Sequence, residues 1–269
     1  MSLVRGCLAH DLEAGRNGMC GRMTLTRSAE EIADYFVLAM AQERGECVAE
    51  IDGSPLRARY NVAPSQPVAT IVADGEGVRE LAWKHWGLVP SWAGDPVIGG
   101  RLFNARSETV DRKPSFREAF QKRRCLVVAD GFYEWAPRNR GHQPYYFTPV
   151  RGALLGFGGL FEVWRGEGGE VIESCTVLTS EANADVAGVH HRMPVILDPA
   201  DFGRWLSRTA DPDRTKSLAV PAPPGTLLRR AVGRVVNSPQ TDDARCLEAV
   251  AEVEPSQGEL FACAGSETE

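Results

Sequence analysis

Apolar and polar positions alternate in short runs along most of the chain and repeat at helical spacing in only a few places. The alternation predicts strands at about 67–73, 79–87, 125–129, 144–149, 153–164 and 171–179. A capping box, Ser28-x-x-Glu31, precedes Ile32, Tyr35, Phe36, Ala39 and Met40 at helical spacing, which predicts a helix over about 28–44. A second box, Ser115-x-x-Glu118, predicts a short helix ending near Lys122. Ser180 is expected to cap a brief helix to about Ala187, and Asp198-Pro199 to open one running to about Ser207. Arg59 to Gln66 reads as an extended or turn segment, because Ala63 precedes a proline. Many short strands with few helices, and no regular β–α alternation, predict an α+β fold on a mostly antiparallel sheet. A doubly wound parallel sheet is disfavoured.

Length and composition narrow the class. At 269 residues, with 43% hydrophobic and 25% charged side chains, the chain has the make-up of a soluble globular protein with an ample core. The seven cysteines lack C-x-x-C spacing, so a disulfide framework or structural zinc is not expected. There is no apolar run of 18 residues and no secretory signal, so the expected setting is the cytoplasm, without a membrane partner. Residues 1–18 show no usable periodicity and read as a leader, either a cloning scar or a start assigned too far upstream. Residues 251–269 are acidic and low in apolar content, which predicts a disordered tail. The net charge of −6 argues against wrapping a long duplex. Residues 101–124 nevertheless carry eight basic and three acidic side chains, read as either a solvated face or a footprint for a short single strand.

Candidate chemistry starts at Met19-Cys20-Gly21-Arg22. If Met19 is removed, Cys20 presents an α-amine and a thiol on adjacent carbons, a pair that can capture an aldehyde twice. An α-amine has a pKa of about 7.7–8.0 against about 10.4 for lysine, so much more of it is nucleophilic at neutral pH. The bland alternative is a buried cysteine acting as a small hydrophobe. Asn104, Glu134 and His190 each sit among apolar or aromatic neighbours near strand ends. Glu134, between Phe132, Tyr133 and Trp135, is a candidate for a raised pKa. Read structurally, Asn104 bridges a turn, Glu134 pairs with an arginine and His190 fills the core. Trp86 and Trp92 either plug a core edge or stack unpaired bases.

Six segments in order add what spacing cannot: Met19-Cys-Gly-Arg22, Arg59-Tyr-Asn-Val-Ala-Pro64, Trp86-Gly-Leu-Val-Pro-Ser-Trp92, Asn104-Ala-Arg106, Ala129-Asp-Gly-Phe-Tyr-Glu-Trp135 and His190-x-Arg-Met-Pro194. Together they resemble the SOS-response-associated peptidase (SRAP) family of abasic-site processing proteins, over about residues 19–250. The resemblance implies a single, barrel-like domain; no metal or cofactor is expected, and a monomer is the default expectation. Its implied partners are single-stranded DNA carrying abasic sites and proteins of the replication fork, with location at the nucleoid when bound. It also implies an active set of Cys20, Asn104, Glu134 and His190, and DNA contacts at Arg22, Pro64, Trp86, Trp92, Arg106 and Thr179. His191 stands where relatives often have aspartate.

The implied chemistry begins with His190 as the acid that opens the sugar hemiacetal. The Cys20 amine forms an imine at C1′, Glu134 shuttles the proton and Asn104 positions the reactants. The thiol then closes a thiazolidine. β-Elimination from the imine would give lyase activity, and attack on the preceding carbonyl would remove Met19. Family members begin at the Met-Cys pair, whereas eighteen residues precede it here. While they stay attached, the Cys20 nitrogen is an amide and cannot form an imine. Two other classes remain open, a cysteine peptidase or amidohydrolase using Cys20 with His190, and a non-catalytic single-strand binding module.

Overall fold

The computed structural model describes residues 20–36, 50–51, 54–138, 141–152 and 154–252. Its strands, in chain order, are β1 (Met23–Leu25), β2 (Glu50–Ile51), β3 (Ser54–Pro55), β4 (Arg59–Val62), β5 (Pro67–Ala73), β6 (Arg79–Trp86), β7 (Asn104–Arg106), β8 (Arg124–Ala129), β9 (Gly131–Arg138), β10 (Gly141–Pro149), β11 (Leu155–Arg165), β12 (Val171–Glu181), β13 (Arg192–Pro194), β14 (Ile196–Leu197) and β15 (Leu227–Ala231). The helices are α1 (Ala29–Phe36), α2 (Arg117–Lys122), α3 (Phe202–Leu206) and α4 (Pro212–Lys216). All six strands expected from alternation are present, within a few residues of their predicted ends.

Five of them close on themselves. β5 pairs with β6 and β8, β8 with β11, β11 with β12, and β12 returns to β6, giving a closed barrel within one α+β domain. Closure removes the exposed edges an open sheet would present. A second sheet, in the order β15-β10-β9-β1-β4, is antiparallel throughout. The barrel is not purely antiparallel, since β12 runs parallel to both β6 and β7.

β8 shows why the core forms in two parts. All six of its residues are buried. Leu126 and Val128 join Phe36, Phe120, Phe202 and Trp205 in one apolar cluster. Cys125, Val127 and Ala129 join Phe132, Phe147 and Phe157 in another. A strand buried on both faces reads as a continuous apolar run, as this one does.

The first capping box forms as expected: Ser28 N donates to Glu31 Oε2 at 2.8 Å and Glu31 N to Ser28 Oγ at 3.3 Å. α1 then buries Ile32, Ala33 and Phe36, and the predicted continuation to residue 44 lies outside the described residues. The leader, and the tail beyond residue 252, also lie outside them. The second box does not form. α2 starts at Arg117 without a side-chain cap, because turns before it already pair the early amides: Phe116 N and Arg117 N both donate to Lys113 O at 2.9 Å. No helix follows Ser180, which stays in the β12 ladder opposite Met193. The chain turns three residues later, where Val186 N and Ala187 N donate to Asn183 O. Asp198 does cap its segment, accepting from Ala200 N ahead of a 3-10 turn that runs into α3.

Candidate active site

Register places the first site residues. Antiparallel pairing sets Met23 opposite Phe132, and Tyr133 N donates to Arg22 O at 3.0 Å. Two residues further back, Cys20 reaches the Glu134 side chain, and Cys20 N donates to Glu134 Oε1 at 2.7 Å. Cys20 is buried and has φ +38°, a left-handed conformation uncommon outside glycine. Backbone of this kind costs about 1–3 kcal/mol and persists only where surrounding structure holds it.

The other two residues arrive from the barrel. β7 lies parallel to β12 with Asn104 opposite Val177, and Asn104 Nδ2 donates to the Cys20 carbonyl at 3.3 Å. β12 and β13 are joined by the turn containing His190, whose Nδ1 lies 3.9 Å from Glu134 Oε1. His190 Nδ1 is 3.1 Å from both the peptide N–H and the carbonyl of Arg192. The N–H suits an unprotonated Nδ1 and the carbonyl a protonated one, so the backbone can hold the ring in either state.

Burial dominates the electrostatics. It pushes Glu134 from its ordinary value near 4.5 to about 8, against hydrogen bonds from Cys20 and from the Trp135 backbone that lower it. Burial, followed by the nearby Glu134 carboxyl, raises the Cys20 thiol well above its usual range. Burial also lowers His190, with the Arg192 backbone hydrogen bond opposing. Near neutrality the cluster is therefore a protonated carboxyl, a thiol and an uncharged imidazole. Such a set can pass protons while leaving an amine nitrogen un-ionised, but it does not provide a thiolate–imidazolium pair.

The residues expected at a DNA face divide. Trp92 is 60% exposed, and Arg106 is exposed at the end of β7. Pro64 is half-buried beside Ser65, which has φ +69°. Trp86 is fully buried, its indole N–H donating to Phe103 O at 2.9 Å, so the core reading holds for this tryptophan. Arg22 is buried too; it donates to Asn61 Oδ1 and to the Val236 and Asn237 carbonyls. Thr179 lies within the β12 ladder with no exposed surface. In all three the side chain fills an interior position. The basic run splits as well: Arg124 is buried on backbone carbonyls and Arg123 pairs with Glu162, while the other six basic residues are exposed or at the surface.

One partnership escaped the sequence. Arg192 Nη1 and Nη2 fork onto Glu108 at 2.6 and 2.9 Å, and Nη2 also donates to Thr179 O at 2.6 Å. Both residues stand inside or next to the six segments that carry the resemblance, but a pairing across 84 positions leaves no local signal.

With this geometry in hand, comparison with known proteins gives a family. The SRAP model, SOS response associated peptidase, matches residues 19–239. Abasic site processing protein YoaM of Bacillus subtilis is 36% identical over 233 residues, covering 86% of this chain and 98% of the relative. Abasic site processing protein HMCES of Gallus gallus is 32% identical over 260 residues, covering 85% of this chain and 77% of the relative. A crystal structure of a Bordetella bronchiseptica protein matches with TM-score 0.65 and 30% identity, over 80% of this chain and all of that one. One from Bacteroides thetaiotaomicron shares the fold with TM-score 0.76 at 24% identity, over 86% of this chain and all of that one. The chain belongs to the SOS response associated peptidase family.

Proposed function

We propose, from that membership, that the chain recognises abasic sites in single-stranded DNA and captures them covalently through Cys20. The observation that carries this reading is the Cys20 nitrogen 2.7 Å from Glu134 Oε1, with Asn104 and His190 on the same cluster.

Once Met19 is removed, the nitrogen at that position is an amine. His190, in the protonated form that the Arg192 carbonyl can hold, protonates the ring oxygen of the abasic hemiacetal and frees the aldehyde. The amine adds to C1′, Glu134 supplies the proton that lets water depart, and an imine remains. The thiol then adds to the imine carbon, forming the C–S bond, and its proton passes to the nitrogen through Glu134. The product is a thiazolidine. Both nucleophiles belong to one residue, so the second addition is intramolecular and favoured. A raised Glu134 pKa suits a group that must donate and accept at neutral pH. The un-ionised thiol favours this order over thiol-first peptidase chemistry. Where closure lags, the imine allows β-elimination and strand cleavage. Attack of the thiol on the Met19 carbonyl would move that acyl group from nitrogen to sulfur, the thiol proton passing to the nitrogen, and hydrolysis of the thioester by water would free both groups of Cys20. Trp92 stacks a neighbouring base and Arg106 holds a phosphate.

The test is a denaturing gel of protein mixed with single-stranded DNA carrying one abasic site, paired with intact-mass measurement. A heat-stable shifted band from species beginning at Cys20, absent from Cys20→Ala, is expected. A full-length species that crosslinks equally well would overturn the amine mechanism, and no shift from the mature species would overturn the function.

A further inference from the structure

The face of the second sheet that carries Glu134 continues beyond it. Antiparallel partners share a face of a sheet, as do residues two apart along a strand. In the second sheet Glu134 stands opposite Tyr145, Phe132 opposite Phe147, and Phe147 opposite Arg229. Arg138 lies four positions along β9 from Glu134. Glu134, Arg138, Tyr145 and Arg229 therefore occupy one face. At about 3.3 Å per residue and about 4.8 Å between strands, Arg138 and Arg229 each have their Cα within about 13 Å of that of Glu134.

Both arginines gather on Tyr145. Arg138 Nη2 donates to the Tyr145 hydroxyl at 2.9 Å, and its guanidinium carbon is 5.9 Å from the ring centroid. The Arg229 guanidinium carbon is 5.2 Å from the same centroid. Arg229 also packs against the turn that carries His190: a Cβ built on Gly188 would lie 3.3 Å from its Nη1. Tyr145 is buried beneath the pair, while the Arg229 side chain is 39% exposed. Among the described residues, the carboxylate paired with this couple is Glu252, 3.8 Å from Arg229 Nη2 and 51% exposed. A half-exposed ion pair of that length holds a guanidinium weakly. Arg230 is excluded, since it faces the other side of the sheet over Tyr146.

We infer that Arg138 and Arg229, braced by Tyr145, form a binding site for the phosphodiester backbone of single-stranded DNA flanking the nucleotide held at Glu134. A sugar seated at Glu134 must send its chain away in two directions. Arg106 serves the β7 side, and this pair serves the side formed by β9, β10 and β15. Arginine suits the task because its planar fork matches phosphate oxygens and stays charged at any working pH. The inference rests on the proposed function.

The test uses the full chain and fluorescently labelled single-stranded DNA without an abasic site, bound at increasing salt. The double variant Arg138→Gln/Arg229→Gln should bind more weakly and lower the slope of log affinity against log salt by about 1.4, at about 0.7 for each phosphate no longer neutralised. Arg138→Lys/Arg229→Lys should keep most of the slope. If the Gln double melts early, Arg229→Gln alone is read, with an expected slope change of about 0.7. An unchanged slope in a folded Gln variant would overturn the inference and leave the arginines as a cover for Tyr145. The abasic-site gel, run alongside on the species that begins at Cys20, separates the two readings: a normal crosslink with an unchanged slope defeats only this inference, and no crosslink from that mature species defeats the proposed function.

Discussion

Replacing Glu134 by glutamine tests the electrostatics of the site in a single substitution. Gln keeps an oxygen to accept from Cys20 N and removes the ionisation. Glu134 has a folded-state value of about 8 against an ordinary one near 4.5. A carboxyl with a raised folded pKa keeps its proton in the native state through a range where the unfolded chain has lost it. Native stability therefore falls as pH rises from about 4.5 to about 8, at up to about 1.36 kcal/mol per unit. Between pH 5 and 8 this amounts to up to about 4 kcal/mol. Glu134→Gln escapes that loss, so its advantage over wild type should widen with pH. At about 2–4 °C per kcal/mol, the Tm gap should grow by up to about 8–16 °C across the range. Thermal melts of the full-length chain at pH 5, 6, 7 and 8 measure it. A gap independent of pH would refute the claim that burial holds Glu134 protonated. Removing Met19 changes the sign of the neighbourhood, because an ammonium at this position favours the carboxylate. The mature species should therefore show a smaller gap, while its covalent step slows by about 10²–10⁴ on Glu134→Gln.

Cys20→Ser keeps the amine but not the thiol, so it should give an abasic-site adduct that is lost on heating unless borohydride reduces the imine first; a heat-stable adduct without reduction would contradict ring closure by sulfur. Trp92→Ala should weaken single-strand binding by about 1–3 kcal/mol, measured by anisotropy, with little change in Tm. Trp86→Ala should instead cost about 3–5 kcal/mol of stability in urea unfolding, because it empties a buried site. Glu108→Gln loosens the fork on Arg192, whose backbone seats His190, while removing a negative charge beside Arg106. The covalent step should slow about tenfold, or about 1.4 kcal/mol, in single-turnover assays, and DNA binding should tighten. Equal changes in both would argue against a positioning role for Glu108.

Strand positions were legible because alternation is local: β5, β6 and β8 each carry their burial pattern in their own residues. The Ser28 box and the Asp198-Pro199 start were legible for the same reason, since each cap closes within a few residues. Ser115 and Ser180 misled because their neighbours had already satisfied the amides or extended the strand. Six segments in order were enough to point to the family.

What the amino-acid order determined alone was the class of fold and the set of residues with chemistry to offer. Tertiary structure decided which of them meet. Glu134 reaches Cys20 through the β1–β9 register, Asn104 through β7 on β12, and His190 through a turn pinned by Arg192. It also sent Arg22 and Trp86 inward while leaving Trp92 and Arg106 at the surface. Burial and long-range register are sums over residues far apart in the chain, so no local pattern contains them.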